Sequence, residues 1–325
     1  MSEDLHLSTI WNFRKPSKKL PLYRRANLDH ADEKEVERVI ANTGINHTID
    51  LRAPLEILKN KFAGAPPVTK TFLAKRFGAK SDPSQQSKNS LATAITAQMT
   101  PLHVFKLDRK RKRETEQIVA HQTHIAKGKK MEVYNVNFLS MKYIDDAIWD
   151  NCTPAEKLKM FMYMITFRYQ KLLHHVSSKL ASGGLLGSYK GFIDYSGEAI
   201  SSALKILTQV FSENGTVWMG CQWAKDRTGI IVALLRYIID DPLDDIFDDY
   251  AYSEKGLAEH MPYLLEEFTK QGLPAEFAKT PRQVMVDTFS YIKEKYGSIE
   301  LYLDSIGFDQ SWRQRLQDAD RDLST

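Results

Sequence analysis

Cysteine is nearly absent from this chain: Cys152 and Cys221 are the two among 325 residues. So sparse a pair supports no disulfide framework and points to a reducing compartment, the cytoplasm first and the nucleus as the alternative. Long apolar runs are missing too. No stretch nears the ~20 apolar residues that a membrane-spanning helix requires. The N-terminal MSEDLHLSTIWNFRKPSKKL has no apolar run of the secretory type. Clustered metal ligands are also lacking: His174 and His175 are adjacent, with no carboxylate or third His at ligand spacing, and zinc takes at least three protein ligands. These absences argue against a disulfide-stapled secreted domain, a helical membrane protein and a zinc site on those histidines. They leave a lone intracellular Cys as a candidate nucleophile.

What is present is material for a core. Hydrophobic residues make up 42% of the chain, enough for one large domain spanning 1–325. The net charge of +4 is unevenly placed, because residues 69–130 hold 14 Lys and Arg against 4 Asp and Glu. This basic excess belongs to one segment. Residues 62–130 read as a basic insertion, disordered in part, since SDPSQQSKNS has no apolar content. Deleting about residues 80–126 is then expected to leave the domain folded. The DRKRKR run at Asp108–Arg113 reads as a solvated turn, with a nuclear localisation signal or contact with an anionic membrane surface as alternatives. Nucleic acid is not an expected partner.

Ahead of the insertion, Val36, Val39 and Ile40 fall at helical spacing over about Asp32–Asn42, with Asp29 or Asp32 to cap and Gly44 at the exit. INHTIDLR then alternates into a strand ending at Asp50-Leu51-Arg52, so a β-α-β unit with a parallel pair is expected. Asp50 and Arg52 read as a mutual pair. After the insertion, Met131–Phe138 alternates as a strand. Thr153-Pro154-Ala155-Glu156 carries the signature of a capping box and a proline at the first helical position. The apolar residues that follow, Met160, Phe161, Met164, Ile165 and Phe167, read as core. Asp194 reads as a turn or cap residue, and Cys152 as a loop position without a role.

The chemistry concentrates in TVWMGCQWAKDRTGIIVALLRYIID, Thr216–Asp240. A short apolar strand leads into the polar loop Cys221-Gln222-Trp223-Ala224-Lys225-Asp226-Arg227-Thr228, and Gly229–Ile239 reads as a buried helix. A strand, a loop and a helix start in that order direct backbone N–H groups into one concavity that suits a tetrahedral anion. Phosphate-ester transfer needs an in-line nucleophile and donors for the non-bridging oxygens. Cys221 offers the thiolate. Arg227, at C-x5-R spacing, offers a planar fork that lysine lacks. Thr228 is placed to bond the sulfur or cap the helix. A free thiol has a pKa of ~8.5, so thiolate at neutral pH requires a fall of roughly 2 units, about 3 kcal/mol. A helix N-terminus supplies up to ~2 kcal/mol, so Lys225, Arg227 and the loop amides must supply the rest.

CQWAKDRTG resembles the HCxxGKDRTG signature of the protein tyrosine phosphatase superfamily, in its atypical tyrosine and phosphoinositide phosphatase branch of bacteria and fungi. Trp11-Asn12-Phe13-Arg14 is similar to the family's NFR motif. LPLYRRANLDH with GINHTIDLR resembles its R-[ST] start, helix and IDLR strand, and EKYGSIELYLDSIGF (Glu294–Phe308) its closing element. The resemblance implies Cys221 as nucleophile, Arg227 as phosphate clamp, and Lys225 and Asp226 as residues acting on substrate charge or proton transfer. Where the family has His, this chain has Gly220; where it has Gly, this chain has Ala224. The family's acid is not evident: its place holds Ser140, with Asp145 and Asp146 nearby. Gly220→His is expected to lower the thiol pKa if the pocket has room.

The expectation is therefore one α/β domain with a mainly parallel central sheet flanked by helices. Its activity is expected to be cysteine-dependent hydrolysis of phosphate monoesters through a thiophosphate, without metal or organic cofactor. Cys221, Arg227 and Asp226 form the catalytic set. Gln222, Trp223, Ala224, Lys225, Thr228 and Gly229 bind substrate. Phosphotyrosine protein, with dual specificity as an extension, is the first candidate substrate and a phosphoinositide the second. A catalytically weak binding module is the rival reading, favoured by Gly220 and Ala224.

Overall fold

The computed structural model describes residues 7–53, 56–57, 118–126, 129–166 and 168–324. Five strands form one sheet: β1 (Leu22–Arg24), β2 (His47–Asp50), β3 (Val119–Ala126), β4 (Lys129–Val136) and β5 (Val217–Gly220), in the order β1-β5-β2-β4-β3. β1, β2, β4 and β5 run parallel, but β3 pairs antiparallel with β4. The sheet is therefore mixed rather than mainly parallel.

The expected pairing of β1 with β2 is also replaced. Both strands flank β5, whose four residues are all buried. A strand buried on both faces belongs at the centre of a sheet. The helix between them, α1 (Glu33–Thr43), matches its sequence signals. Asp32 accepts from the Lys34 and Glu35 amides, and Gly44 closes the helix at φ 69°.

Most of the expected insertion lies outside the described residues. Its C-terminal part does not, and it is strand. β3 pairs with β4 from Val119 opposite Val136 to Ala126 opposite Lys129, so a deletion reaching residue 126 removes the edge of the sheet. VAHQTHIA looks polar because an edge strand needs only one apolar face. Thr123 and His121 both reach the Glu132 carboxylate at 2.7 Å.

Helices cover both faces. Val217 and Met219 join Ile49, Leu51 and Val136 in the larger core. That core includes α5 (Gly197–Ser212) and α6 (Asp226–Ile238). Trp218 points the other way, into a smaller cluster with Val36, Val39, Ile10 and Met131. Between β4 and α5 lie α2 (Pro154–Ile165), α3 (Tyr169–Ala181) and α4 (Gly184–Tyr195). The capping box forms as expected, since Thr153 Oγ1 accepts from the Glu156 amide at 3.3 Å and Glu156 from the Thr153 amide at 2.8 Å. Cys152 is buried beside Met160. Asp194 is neither turn nor cap: it lies in α4 and accepts from Tyr291 and Tyr296 of α9 (Arg282–Tyr296). Among the described residues no helix is long and apolar enough to cross a membrane.

The N-terminal segment is tied across the molecule by Asp249 on α7 (Leu243–Gly256). Its carboxylate holds Arg14 at 2.8 Å and the fully buried Arg24 at 2.5 Å. Burial alone pushes this carboxyl up, but Arg24 and Arg14 more than offset that and hold it below the usual range. A depressed folded-state pKa adds stability that is present above the unfolded value of ~3.9 and is lost as pH falls below it. Asp249→Asn should therefore destabilise by about 3–5 kcal/mol at pH 7, the usual cost of stranding a buried charge. In urea unfolding the gap to wild type should narrow below pH 4; a difference independent of pH would show that the pairing contributes nothing.

Candidate active site

β5 ends at Gly220, the loop runs from Cys221 to Lys225, and α6 begins at Asp226. α6 is buried along 11 of its 13 residues, which fixes the loop between a central strand and a central helix. Cys221 is 2% exposed.

The loop's carbonyls are drawn outward one after another. Gln222 O accepts from the Asn27 amide at 3.0 Å and from Asn27 Nδ2 at 2.9 Å. Asn12 Nδ2 donates to Trp223 O at 3.0 Å and to Ala224 O at 3.2 Å, and Arg24 Nη2 donates to Ala224 O at 2.5 Å. In a planar trans peptide the following N–H points opposite to the carbonyl. The N–H groups of Trp223, Ala224 and Lys225 therefore face the inner side of the loop. That is the amide cradle expected from the sequence, and it is imposed from outside by residues of the N-terminal segment. The Trp223 ring is packed in an aromatic cluster, parallel to Trp11 at 6.0 Å and edge-on to Tyr263 and Phe268. Its side chain anchors the loop.

Arg227 is held by a residue that the sequence reading missed. Glu56, after β2, takes Nη1 at 2.6 Å and Nη2 at 2.7 Å, while Leu51 O takes Nη1 at 3.1 Å. Burial works against the charge, but Glu56 more than offsets it and raises the Arg227 pKa. A guanidinium has five N–H donors. Three are used here, and the two remaining, on Nε and Nη2, share one edge of the fork. The signal for Glu56 was its place in DLRAPLE, six residues beyond Asp50, near a fork that needed a counter-carboxylate.

The other expected site residues divide. Asp226 opens α6 and accepts from Tyr189 Oη and Lys225 Nζ, each at 2.8 Å. The Lys225 ammonium also donates to Phe277 O at 2.5 Å, and the residue is 1% exposed. It is used inside the protein rather than at the loop's mouth. The Thr228 hydroxyl is buried with no hydrogen-bond partner among the described residues, so it neither bonds the sulfur nor caps the helix. The Gly229 amide bonds Lys225 O at 2.8 Å within the helix; a Cβ there would lie 3.1 Å from the Tyr250 ring, so this glycine serves close packing. Gln222 is half-exposed. Asp50 and Arg52 pair at 2.7 Å, and Arg52 also meets Asp29 at 2.7 Å. Ser140 is buried, and Asp145 and Asp146 lie in the π-helical turn Ile144–Trp149. Among the described residues no three His, Cys, Asp or Glu side chains are grouped as a metal site would need.

Both departures from the expected loop pattern have a geometric meaning. Ala224 adopts φ 53°, the left-handed region that glycine enters freely. At Gly220 an added Cβ would lie 2.1 Å from the Arg25 carbonyl oxygen. A histidine has no room there without movement of the backbone, because the Arg25 amide is bonded to Met219 O at 3.0 Å and holds this strand close. The expected gain from Gly220→His is therefore withdrawn.

Ala224→Gly should leave stability equal or raise it by up to ~1.5 kcal/mol. It removes a left-handed strain of about 1–2 kcal/mol and adds ~0.5–1 kcal/mol of chain entropy. Urea unfolding measures the difference, and a loss above 1 kcal/mol would mean that the buried Ala224 methyl packs more than it strains.

No curated protein matches the chain. A family model does: that of the tyrosine phosphatase family matches residues 113–319, more than half of the chain. The span runs from just before β3 into the last helix, α11 (Gln310–Ser324), and contains the whole Cys221–Arg227 loop. The N-terminal β1-α1-β2 unit, with Glu56 and Arg24, lies before it. By that match, around a strand-loop-helix of the geometry described, this chain belongs to the tyrosine phosphatase family.

Proposed function

We propose that the protein is a cysteine-dependent phosphatase of the atypical branch, acting on phosphotyrosine in proteins. The observation that carries this reading is the loop itself: amides turned inward beside Cys221, followed by an arginine fork whose Nε/Nη2 edge takes no hydrogen bond among the described residues. The three non-bridging oxygens of a phosphate would take the loop amides and the Nε/Nη2 edge of Arg227. Cys221 thiolate attacks phosphorus, the bond to the leaving oxygen breaks, and an acid gives that oxygen its proton; Asp226, an ion-paired carboxylate at rest, fills that role only after taking up a proton. Water then attacks the phosphorus of the thiophosphate and returns a proton to that acid. Inorganic phosphate leaves, and the thiolate is restored.

A single phosphate group is favoured over a polyphosphorylated head group. A second cation facing the substrate would favour a phosphoinositide, but the Lys225 ammonium is committed to Asp226 and Phe277 O. The case for a mere binding module rested on Gly220 and Ala224. The first is required by its neighbour's backbone, and the second is accommodated at φ 53°.

Cys221→Ser should abolish phosphate release from phosphotyrosine peptides while retaining vanadate binding, since a hydroxyl is a far poorer nucleophile and the donors remain. Phosphate release at the wild-type rate would eliminate the mechanism. Arg227→Lys should lose nearly as much activity as Arg227→Ala, because lysine keeps the charge but not the fork. If kcat/KM of the lysine variant stays within threefold of wild type, Arg227 acts only as a charge. Running the same assays on a phosphoinositide panel decides the substrate class.

A further inference from the structure

The buried charges around the loop are paired, with one exception. Arg14 and Arg24 share Asp249, Arg52 has Asp29 and Asp50, Lys225 has Asp226, and Arg227 has Glu56. Arg25, just beyond β1, is 1% exposed and has no carboxylate within 4 Å among the described residues. Its Nη1 donates to Ala26 O at 2.9 Å. Its Nε and Nη2 are buried without a hydrogen-bond partner among the described residues. Its guanidinium carbon lies 5.1 Å from the Trp218 ring centre. A buried cation with unpaired donors costs several kcal/mol unless an anion stands near it.

The carboxylates that act on Arg25, Asp50 and Asp29, are bonded to Arg52, and Cys221 is the further group that acts on it. Arg25 Nη1 is 3.1 Å from where a Cβ of residue 220 would be, so it occupies space that only a glycine leaves open, directly before Cys221 in the chain. We propose that Arg25 is the positioning cation that keeps Cys221 ionised, and that Gly220 is required because it admits this side chain beside the thiol. Arg25 lies on the Trp218 and Gly220 side of β5, and Cys221 is among the charged groups that act on it. Burial lowers the Arg25 pKa to about 10, with Asp50 acting in the opposite direction, so the group remains charged at neutral pH. With the thiolate formed, the six cations face six anions.

This inference rests on the reading of Cys221 as nucleophile, but its test does not use turnover. The rate of Cys221 alkylation by iodoacetamide, followed by mass spectrometry from pH 4 to 10, gives the apparent thiol pKa. Arg25→Gln and Arg25→Met should raise it by at least one unit, so that alkylation at pH 6 falls at least tenfold. Arg25→Lys should keep most of the wild-type value. Titration of both neutral variants with wild-type pKa overturns the proposal, whatever Cys221→Ser does to phosphate release. Should the neutral variants not fold by circular dichroism, wild type and Cys221→Ser decide it. The serine leaves Arg25 without an anion, so its Tm deficit should grow from pH 5 to pH 8; a deficit independent of pH overturns the proposal.

Discussion

The arrangement of this protein depends on a buried guanidinium. Arg24, at the end of β1, is fully enclosed; it bonds the Asp249 carboxylate on α7 and, at its other nitrogen, the carbonyl of Ala224. A buried charge is tolerated only with partners in good geometry, so these contacts fix three distant pieces of chain against one another. Asp249 also holds Arg14, which places Asn12 beside the loop to take two more carbonyls. The inward direction of the loop amides is therefore no property of C-x5-R alone. It follows from donors on the first 27 residues pulling the carbonyls away.

Sterics complete what charge begins. Two loop positions depart from the signature that the sequence resembles, and their senses differ. Ala224 carries a Cβ where glycine is usual and accepts a left-handed backbone at modest strain. Gly220 lacks a side chain where histidine is usual, because the Arg25 backbone crosses it. In the sequence, Gly220 stands as the loss of a histidine that would lower the thiol pKa. In the fold, the same residue is a tight approach between β5 and the continuation of β1, with Arg25 Nη1 3.1 Å from where its Cβ would be.

Much of this was legible in the sequence. The apolar run Thr216–Met219, the polar loop and the apolar stretch from Gly229 are local patterns, and they become β5, the loop and α6. The caps at Asp32, Gly44 and Thr153 are local too. What could not be read was long-range. β5 comes between β1 and β2 although Val217, which pairs with both Leu22 and His47, follows the first by 195 residues and the second by 170. β3 was hidden because an edge strand with one polar face reads like a solvated segment. Glu56 meets Arg227 across 171 residues. The inward turn of Lys225 could not be read either, because its partner Phe277 O belongs to a distant 3-10 turn, Ala275–Ala278.

These long-range pairings bear on what the proposed enzyme can select. Glu56 leaves Arg227 one free edge, and Lys225 faces inward, so the donors available to a ligand are those that a single phosphate saturates. Under the proposed reading the other buried cations are neutralised by their own carboxylates, and Arg25 by the thiolate. An entering dianion then meets amides and one fork edge rather than an excess of positive charge. Such a site gains little from additional phosphates on the substrate, because charge already paired within the protein adds little attraction at the mouth. Discrimination among monoesters must therefore come from surfaces beyond the loop.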